Sequence, residues 1–168
     1  MINICAWRMI FNLNLKISLM LIMYFTIPGE AICTKKTDLK WLKMDGKVTV
    51  RYAFHRNLEN DRVVRNLVHQ AAKIFKEKTC VEWNETLAND TCHKVIFMRG
   101  DKCVTNMGPH IGLTIGLAIR CYKLAIILHE MLHTLGIWHT NQRPDRDEYV
   151  QTWTSNIKQG HEGNFRIK

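Results

Sequence analysis

The stretch HEMLHTLGIWH, from His129 to His139, constrains this chain more than any other part of its sequence. It belongs to the run 122–136, in which apolar residues recur every three or four positions, and this pattern predicts a helix. His129 and His133 would then lie one turn apart. They would be about 40° apart around the axis and about 6 Å apart along it, so both imidazoles could reach one metal ion.

The other polar residues of this stretch complete a metal-site pattern. Glu130 projects about 100° around the helix from His129, so it can reach a water on the metal rather than serve as a ligand. Gly136 favours the left-handed backbone that ends a helix, and the turn it allows brings His139 back to the same ion. A zinc ion with three protein ligands keeps a position open for water and lowers the pKa of that water to about 7, and a nearby carboxylate can serve as general base.

Each of these residues also has a structural explanation when it is taken singly. One histidine in a mostly apolar helix is more often a hydrogen-bonded core residue than a ligand. The combination is different, because three histidines, a glutamate and a glycine at the offsets HExxHxxGxxH form a specific catalytic signature. The sequence therefore predicts one Zn²⁺ per chain, held by His129, His133 and His139.

The N-terminus has the pattern of a secretory signal peptide. Arg8 and Lys16 precede the apolar run 17–27, and Gly29 and Ala31 supply small residues at the positions that a signal peptidase reads. A membrane anchor is the alternative, but the run is short of the about 20 apolar residues that a span needs. We expect residues 1–31 to be removed, leaving a secreted, extracellular protein without stable membrane insertion.

Length, composition and charge set the class of protein. The chain has 168 residues, 46% of them hydrophobic and 23% charged, which predicts one packed domain rather than disorder. Its formal net charge is +9, but the lysines and arginines are scattered, and a secreted protein meets little nucleic acid. We expect no nucleic-acid partner, and a solvated basic surface or attraction to acidic extracellular polymers instead.

Cysteines and glycosylation motifs agree with export. Five cysteines follow residue 31, where disulfides are favoured: Cys33, Cys80, Cys92, Cys103 and Cys121. The odd number means that one thiol is free, pairs with another chain, or has its partner outside this sequence. Asn84-Glu85-Thr86 and Asn89-Asp90-Thr91 are N-glycosylation acceptors, and they predict an exposed loop.

Four further segments have readable patterns. Alternating apolar residues predict a strand at 47–54, and apolar spacings of three and four predict an amphipathic helix at 61–78. The apolar run 94–98 predicts a short strand. Residues 103–121 contain too many glycines for a helix, and we expect an irregular edge strand there.

Residues outside the metal-site motif belong to a recognisable pattern. RPDRD occupies 143–147, KTC ends at Cys80, GDKC leads to Cys103, and Trp41 precedes the first strand. Together with the metal-site motif, these residues resemble the astacin family of zinc endopeptidases in the metzincin clan. The resemblance runs from about Trp41 to Phe165, and RPDRD separates astacins from other metzincins. It implies an α+β fold, a zincin-like catalytic domain with a twisted mixed sheet and two long helices.

The resemblance also implies roles for the matched residues. The family's zinc ligands correspond to His129, His133 and His139. Glu130 corresponds to its general base, and Cys103 with Cys121 to a family disulfide. The strand around 112–117 corresponds to the edge that binds an extended peptide by strand addition. The implied activity is hydrolysis of peptide bonds in a protein or peptide substrate, by metal-activated water with Glu130 as base.

The sequence departs from the family pattern near its C-terminus. Astacins have a methionine turn below the zinc, but the last methionine here is Met131 and the sequence stops at Lys168. We therefore expect residues 32–168 to form an astacin-like domain that is incomplete, with its C-terminal subdomain truncated. Two functions follow: a secreted zinc endopeptidase, favoured by the intact Glu130, or a secreted non-catalytic zinc-binding scaffold or interaction protein, favoured by the missing methionine turn.

Overall fold

A computed structural model describes residues 41–108 and 112–168. The predicted signal peptide, residues 1–31, lies outside the described residues, as does Cys33. Among the described residues, no helix is both long enough and apolar enough to cross a membrane.

Six strands form one mixed sheet in the described part of the chain: β1 Leu42–Met44, β2 Lys47–Phe54, β3 Val81–Glu85, β4 Val95–Arg99, β5 Val104–Thr105 and β6 Thr114–Leu117. The strand order is β1-β2-β4-β6-β5. β3 is outside this order and pairs with β2. β2 runs parallel to β3 and β4, β4 runs parallel to β6, and the β1–β2 and β5–β6 pairs are antiparallel. The strand predicted at 47–54 is confirmed, and the strand predicted at 94–98 lies one residue further along.

Helix α1, Arg62–Lys78, confirms the amphipathic helix predicted at 61–78. Asp61 is its N-cap, and Oδ1 of this residue accepts a hydrogen bond from the Val64 amide at 3.3 Å. The residues of α1 that face the core recur at spacings of three and four: Val64, Val68, Ala71 and Phe75. Helix α2, Leu124–Thr134, is the second long helix.

The hydrophobic core lies between the sheet and these two helices, which also contact each other. The largest side chains with no exposed surface in the core come from both layers: Phe97, Leu58, Leu113, Ile115, Leu117, Ile127 and Met131. Ile127 and Met131 anchor the inner face of α2 in this core. This packing fixes the orientation of the opposite face of α2, which contributes to the site described below.

The loop predicted around the two glycosylation motifs is partly wrong. Asn84 and Glu85 are the last residues of β3, and only Asn89 lies beyond the strand, in a turn closed by the Asp90 amide on the Leu87 carbonyl. The strand forms because Trp83 packs into the core at 6% exposure and its backbone pairs with β2. The asparagine side chains of both motifs are exposed.

The predicted substrate edge, residues 112–117, is also wrong. β6 has β4 on one side and β5 on the other, so both of its backbone edges are already paired. Gly116 in β6 has no side chain, and a Cβ there would make only an ordinary contact with the Val104 side chain, at 3.4 Å. The outer strand at this end of the sheet is β5.

One disulfide joins the outer strand β5 to the segment that enters α2. Cys103, immediately before β5, is bonded to Cys121, which lies three residues before α2. Cys80 and Cys92 are also disulfide-bonded, so no described cysteine is a free thiol.

Candidate metal centre

Helix α2 presents two of the three predicted ligands. His129 and His133 lie one turn apart, with their ring centroids 4.5 Å apart. The helix is shorter than the predicted run 122–136, because it begins at Leu124 and ends at Thr134. Both histidines lie within the observed helix, so the change of boundary leaves their spacing intact.

A left-handed turn brings the third histidine back to the first two. Gly136 has φ +85°, a backbone conformation that favours glycine, and its amide donates to the His133 carbonyl at 2.9 Å. The Ile137 amide donates to the Leu132 carbonyl at 3.2 Å. These bonds reverse the chain, and His139 follows three residues after the glycine.

The three imidazoles meet at their Nε2 atoms. His133 Nε2 lies 3.1 Å from His139 Nε2, which lies 3.3 Å from His129 Nε2. All three donor atoms lie within 4.8 Å of one another, and no other described residue belongs to this group. Three imidazole nitrogens that converge on one point form a donor set that suits zinc.

Hydrogen bonding fixes the state of the central histidine. Nδ1 of His133 lies 2.8 Å from the Ile137 carbonyl oxygen, which can only accept, so Nδ1 carries the proton and donates it. In the neutral ring, Nε2 then presents its lone pair to the cluster. Partial burial lowers the pKa of His129, and the neighbouring His133 lowers it further, which favours the neutral form that binds metals.

Glu130 lies beside the cluster without belonging to it. The residue is only 5% exposed, and its Oε2 atom is buried without a hydrogen bond to any described residue. A buried carboxylate oxygen without a partner is unfavourable unless a ligand or water satisfies it. This orphaned oxygen therefore fits a site that takes up a metal and water.

The outer strand reaches the same site. The Gly108 amide, which lies beyond β5, donates to the His133 carbonyl at 2.9 Å. Val104 in β5 is 53% exposed. β5 and the end of α2 that carries His133 therefore lie next to each other.

One residue near the site was not anticipated from the sequence. Gln142 is only 3% exposed and contacts both Trp138 and the carbonyl of His139. Glutamine is mostly a surface residue, and no spacing rule marks it as part of a metal site.

Comparison with known proteins identifies the family. A sequence model of the astacin peptidase family matches residues 34–168. This chain belongs to the astacin family. The assignment confirms the resemblance seen in the motifs, and with it the α+β zincin fold and the use of zinc by the family.

Individual astacins share recognisable similarity with the chain. The zinc metalloproteinase nas-30 of Caenorhabditis elegans is 34% identical over 102 residues, which cover 60% of this chain and 14% of the worm protein. Meprin A subunit alpha of Rattus norvegicus is 32% identical over 120 residues, covering 71% of this chain and 16% of the rat protein. The chain thus spans less than a fifth of either relative.

A solved structure shows the same fold. High choriolytic enzyme 1, a hatching-enzyme zinc protease of the medaka fish Oryzias latipes, superposes with a TM-score of 0.63 at 25% identity. The match covers 77% of this chain and 64% of the medaka protein. The mixed sheet and two helices described above are therefore an astacin fold.

Proposed function

We propose that this chain is the zinc-binding catalytic region of a secreted zinc endopeptidase, in which Glu130 is the general base. The observation that supports this most strongly is the convergence of three Nε2 atoms beside a buried carboxylate with an unpaired oxygen. A core histidine usually finds one hydrogen-bond partner, whereas three imidazoles whose Nε2 atoms converge form a donor set that one zinc ion would satisfy.

The residues divide the chemistry of peptide hydrolysis. His129, His133 and His139 would hold the metal, and a zinc ion bound there would supply Lewis-acid chemistry that makes water more acidic and polarises a carbonyl. Glu130 would take a proton as the water oxygen bonds to the scissile carbonyl carbon. When the carbon–nitrogen bond breaks, Glu130 would deliver this proton to the leaving nitrogen, which departs as an amine.

The substrate would bind along β5 rather than along 112–117. Among the described strands, β5 pairs only with β6, and the loop that follows β5 is hydrogen-bonded to the end of α2. An extended peptide could add to the outer edge of β5 through main-chain hydrogen bonds. Its scissile bond would then pass in front of the histidine cluster.

Secretion and domain limits are part of the same proposal. Residues 1–31 would be a cleaved signal peptide and residues 32–168 the astacin-like region. The four described cysteines are all disulfide-bonded, which suits an oxidising, extracellular compartment. Extracellular protein or peptide is the substrate class that this location and chemistry imply.

Replacing Glu130 by glutamine tests the function. The full chain, loaded with zinc, should cleave casein, and Glu130→Gln should reduce the rate by at least about 100-fold while about one zinc per chain stays bound. Glu148→Gln, which changes an exposed glutamate, is the control and should leave the rate unchanged.

Two results would count against the proposal. Unchanged cleavage by Glu130→Gln would mean that another group is the base. Zinc binding without any cleavage by the unmodified chain would favour the non-catalytic scaffold.

A further inference from the structure

The third ligand sits on the least regular part of the site. His129 and His133 are held by a helix whose inner face is buried, whereas His139 is an exposed residue at the start of the short turn Thr140–Gln142. The backbone between Gly136 and His139 belongs to no helix or strand. Some other contact must fix His139 if the three nitrogens are to stay within reach of one ion.

Gln142 makes two such contacts, one to the backbone of His139 and one to the side chain of the residue before it. Its backbone amide donates to the His139 carbonyl at 3.0 Å. Its side-chain Oε1 accepts a hydrogen bond from the indole Nε1 of Trp138, the residue immediately before the ligand, at 2.5 Å. The residue is almost fully buried, so these bonds compete little with water.

The same side chain is anchored at its other end. Gln142 Nε2 donates to the Gly163 carbonyl at 3.0 Å, 21 residues further along the chain. A primary amide offers an acceptor and a donor at once, so it can hold Trp138 while being held by Gly163. A leucine of similar size would fill the space and lose both bonds.

The Trp138 ring contacts two of the three histidines. Its ring lies 5.8 Å from the ring of His139 and 6.4 Å from that of His133, measured between centroids. On the same indole, Lys168 Nζ lies 3.8 Å from the ring centroid, a cation–π contact. The indole is therefore packed against two of the three ligands, and Gln142 sets its orientation.

We propose that Gln142 is a positioning residue for the metal site, acting on His139 through Trp138. The inference rests on the proposed zinc site. Outer groups that orient metal ligands typically change affinity by about 10- to 100-fold when they are removed. Here the effect would come from a residue that touches neither metal nor substrate.

The test measures metal binding rather than activity. Gln142→Leu in the full chain should weaken zinc binding about 10-fold or more in a competition with a coloured chelator, and should change the visible absorption of the cobalt-loaded protein. Gln70→Leu, which replaces an exposed glutamine on α1, should change neither. A purely structural role would lower the melting temperature and leave affinity and spectrum as they were.

A second variant keeps the inference testable if Gln142→Leu does not fold. Trp138→Phe removes the indole donor and retains a ring, so it should weaken zinc binding, whereas Trp153→Phe, at an exposed tryptophan, should not. The double variant Gln142→Leu with Trp138→Phe should bind zinc no more weakly than the weaker of the two single variants, because both substitutions remove the same hydrogen bond.

The outcomes separate the two proposals. If the unmodified chain and Gln70→Leu bind no zinc, the proposed function fails. If they bind zinc and either folded variant, Gln142→Leu or Trp138→Phe, binds it equally well with an unchanged cobalt spectrum, the positioning role is wrong.

Discussion

At the scale of single residues, Asp61 joins three parts of the fold through one carboxylate. Its Oδ1 caps α1, while Oδ2 accepts hydrogen bonds from Arg99 at the end of β4, at 2.7 Å, and from the Tyr122 hydroxyl just before α2, at 2.8 Å. Partial burial alone would raise the pKa of Asp61, but the Tyr122 and Val64 hydrogen bonds and the Arg99 charge outweigh it, and the pKa is lowered.

This shift makes stability depend on pH in a defined direction. A carboxylate whose pKa is lower in the folded state stabilises the fold above its unfolded pKa of about 3.9. That contribution is lost as the pH falls through the lower folded value.

Asp61→Asn tests this contribution. Asparagine still caps the helix but has no charge for Arg99, so the free energy of unfolding should fall by about 1 kcal/mol at neutral pH. Urea titrations from about pH 7 down to about pH 2 should show the difference shrinking progressively once the pH falls below about 4. The control Glu59→Gln changes an exposed carboxylate and should match the unmodified protein. A difference that stays constant from about pH 7 to about pH 2 would contradict the assignment.

At the scale of elements, the end of α2 decides where the third ligand lies. Gly136 adopts φ +85°, and Gly160, remote in sequence, adopts φ +83°. A Cβ on either glycine would meet no other atom within 4 Å, so the cost of alanine at both is conformational. The two glycines differ in position, since only Gly136 precedes a ligand.

Gly136→Ala should therefore have two effects. It should cost about 1 to 2 kcal/mol of stability, as a left-handed non-glycine residue does, and it should weaken zinc binding because the turn that delivers His139 is disturbed. Gly160→Ala should lower the free energy of unfolding by a similar amount and leave zinc affinity unchanged. Thermal unfolding and chelator competition measure the two quantities, and equal zinc affinity in both variants would refute the role given to the turn.

The elements differ in how well the sequence predicts them. β2 and α1 were predictable because their apolar residues recur over eight and 17 residues, and α1 has a capping aspartate. β3 and β5 are short, and their stability comes from pairing with distant strands, which no local pattern records. The three histidines could be predicted because they lie at fixed offsets within a short stretch of sequence. The role of Gln142 could not, because its side chain is held by the Gly163 carbonyl, 21 residues away.

At the scale of the whole molecule, the Cys103–Cys121 disulfide ties the outer strand to the segment entering α2. The two cysteines are 18 residues apart, and the intervening chain contains β5, β6 and the turn before the helix. The bond limits the freedom of this segment in the unfolded chain. It also holds together the proposed substrate edge and the helix that carries two ligands.

Replacing both cysteines by serine should destabilise the protein by about 3 kcal/mol, the loop-closure value for a segment of this length. Urea unfolding under non-reducing conditions should show a lower midpoint than the unmodified protein. An unchanged midpoint would show that this segment is already constrained by its packing.

The central claim is that three histidines of this astacin form one zinc site. Zinc K-edge X-ray absorption of the full chain, loaded with one equivalent of metal, measures the ligand set directly. We predict three imidazole nitrogens at about 2.0–2.1 Å, a fourth ligand that is oxygen, and one imidazole fewer after His139→Ala. Sulfur scattering at about 2.3 Å, or two imidazoles in the unmodified chain, would contradict the account.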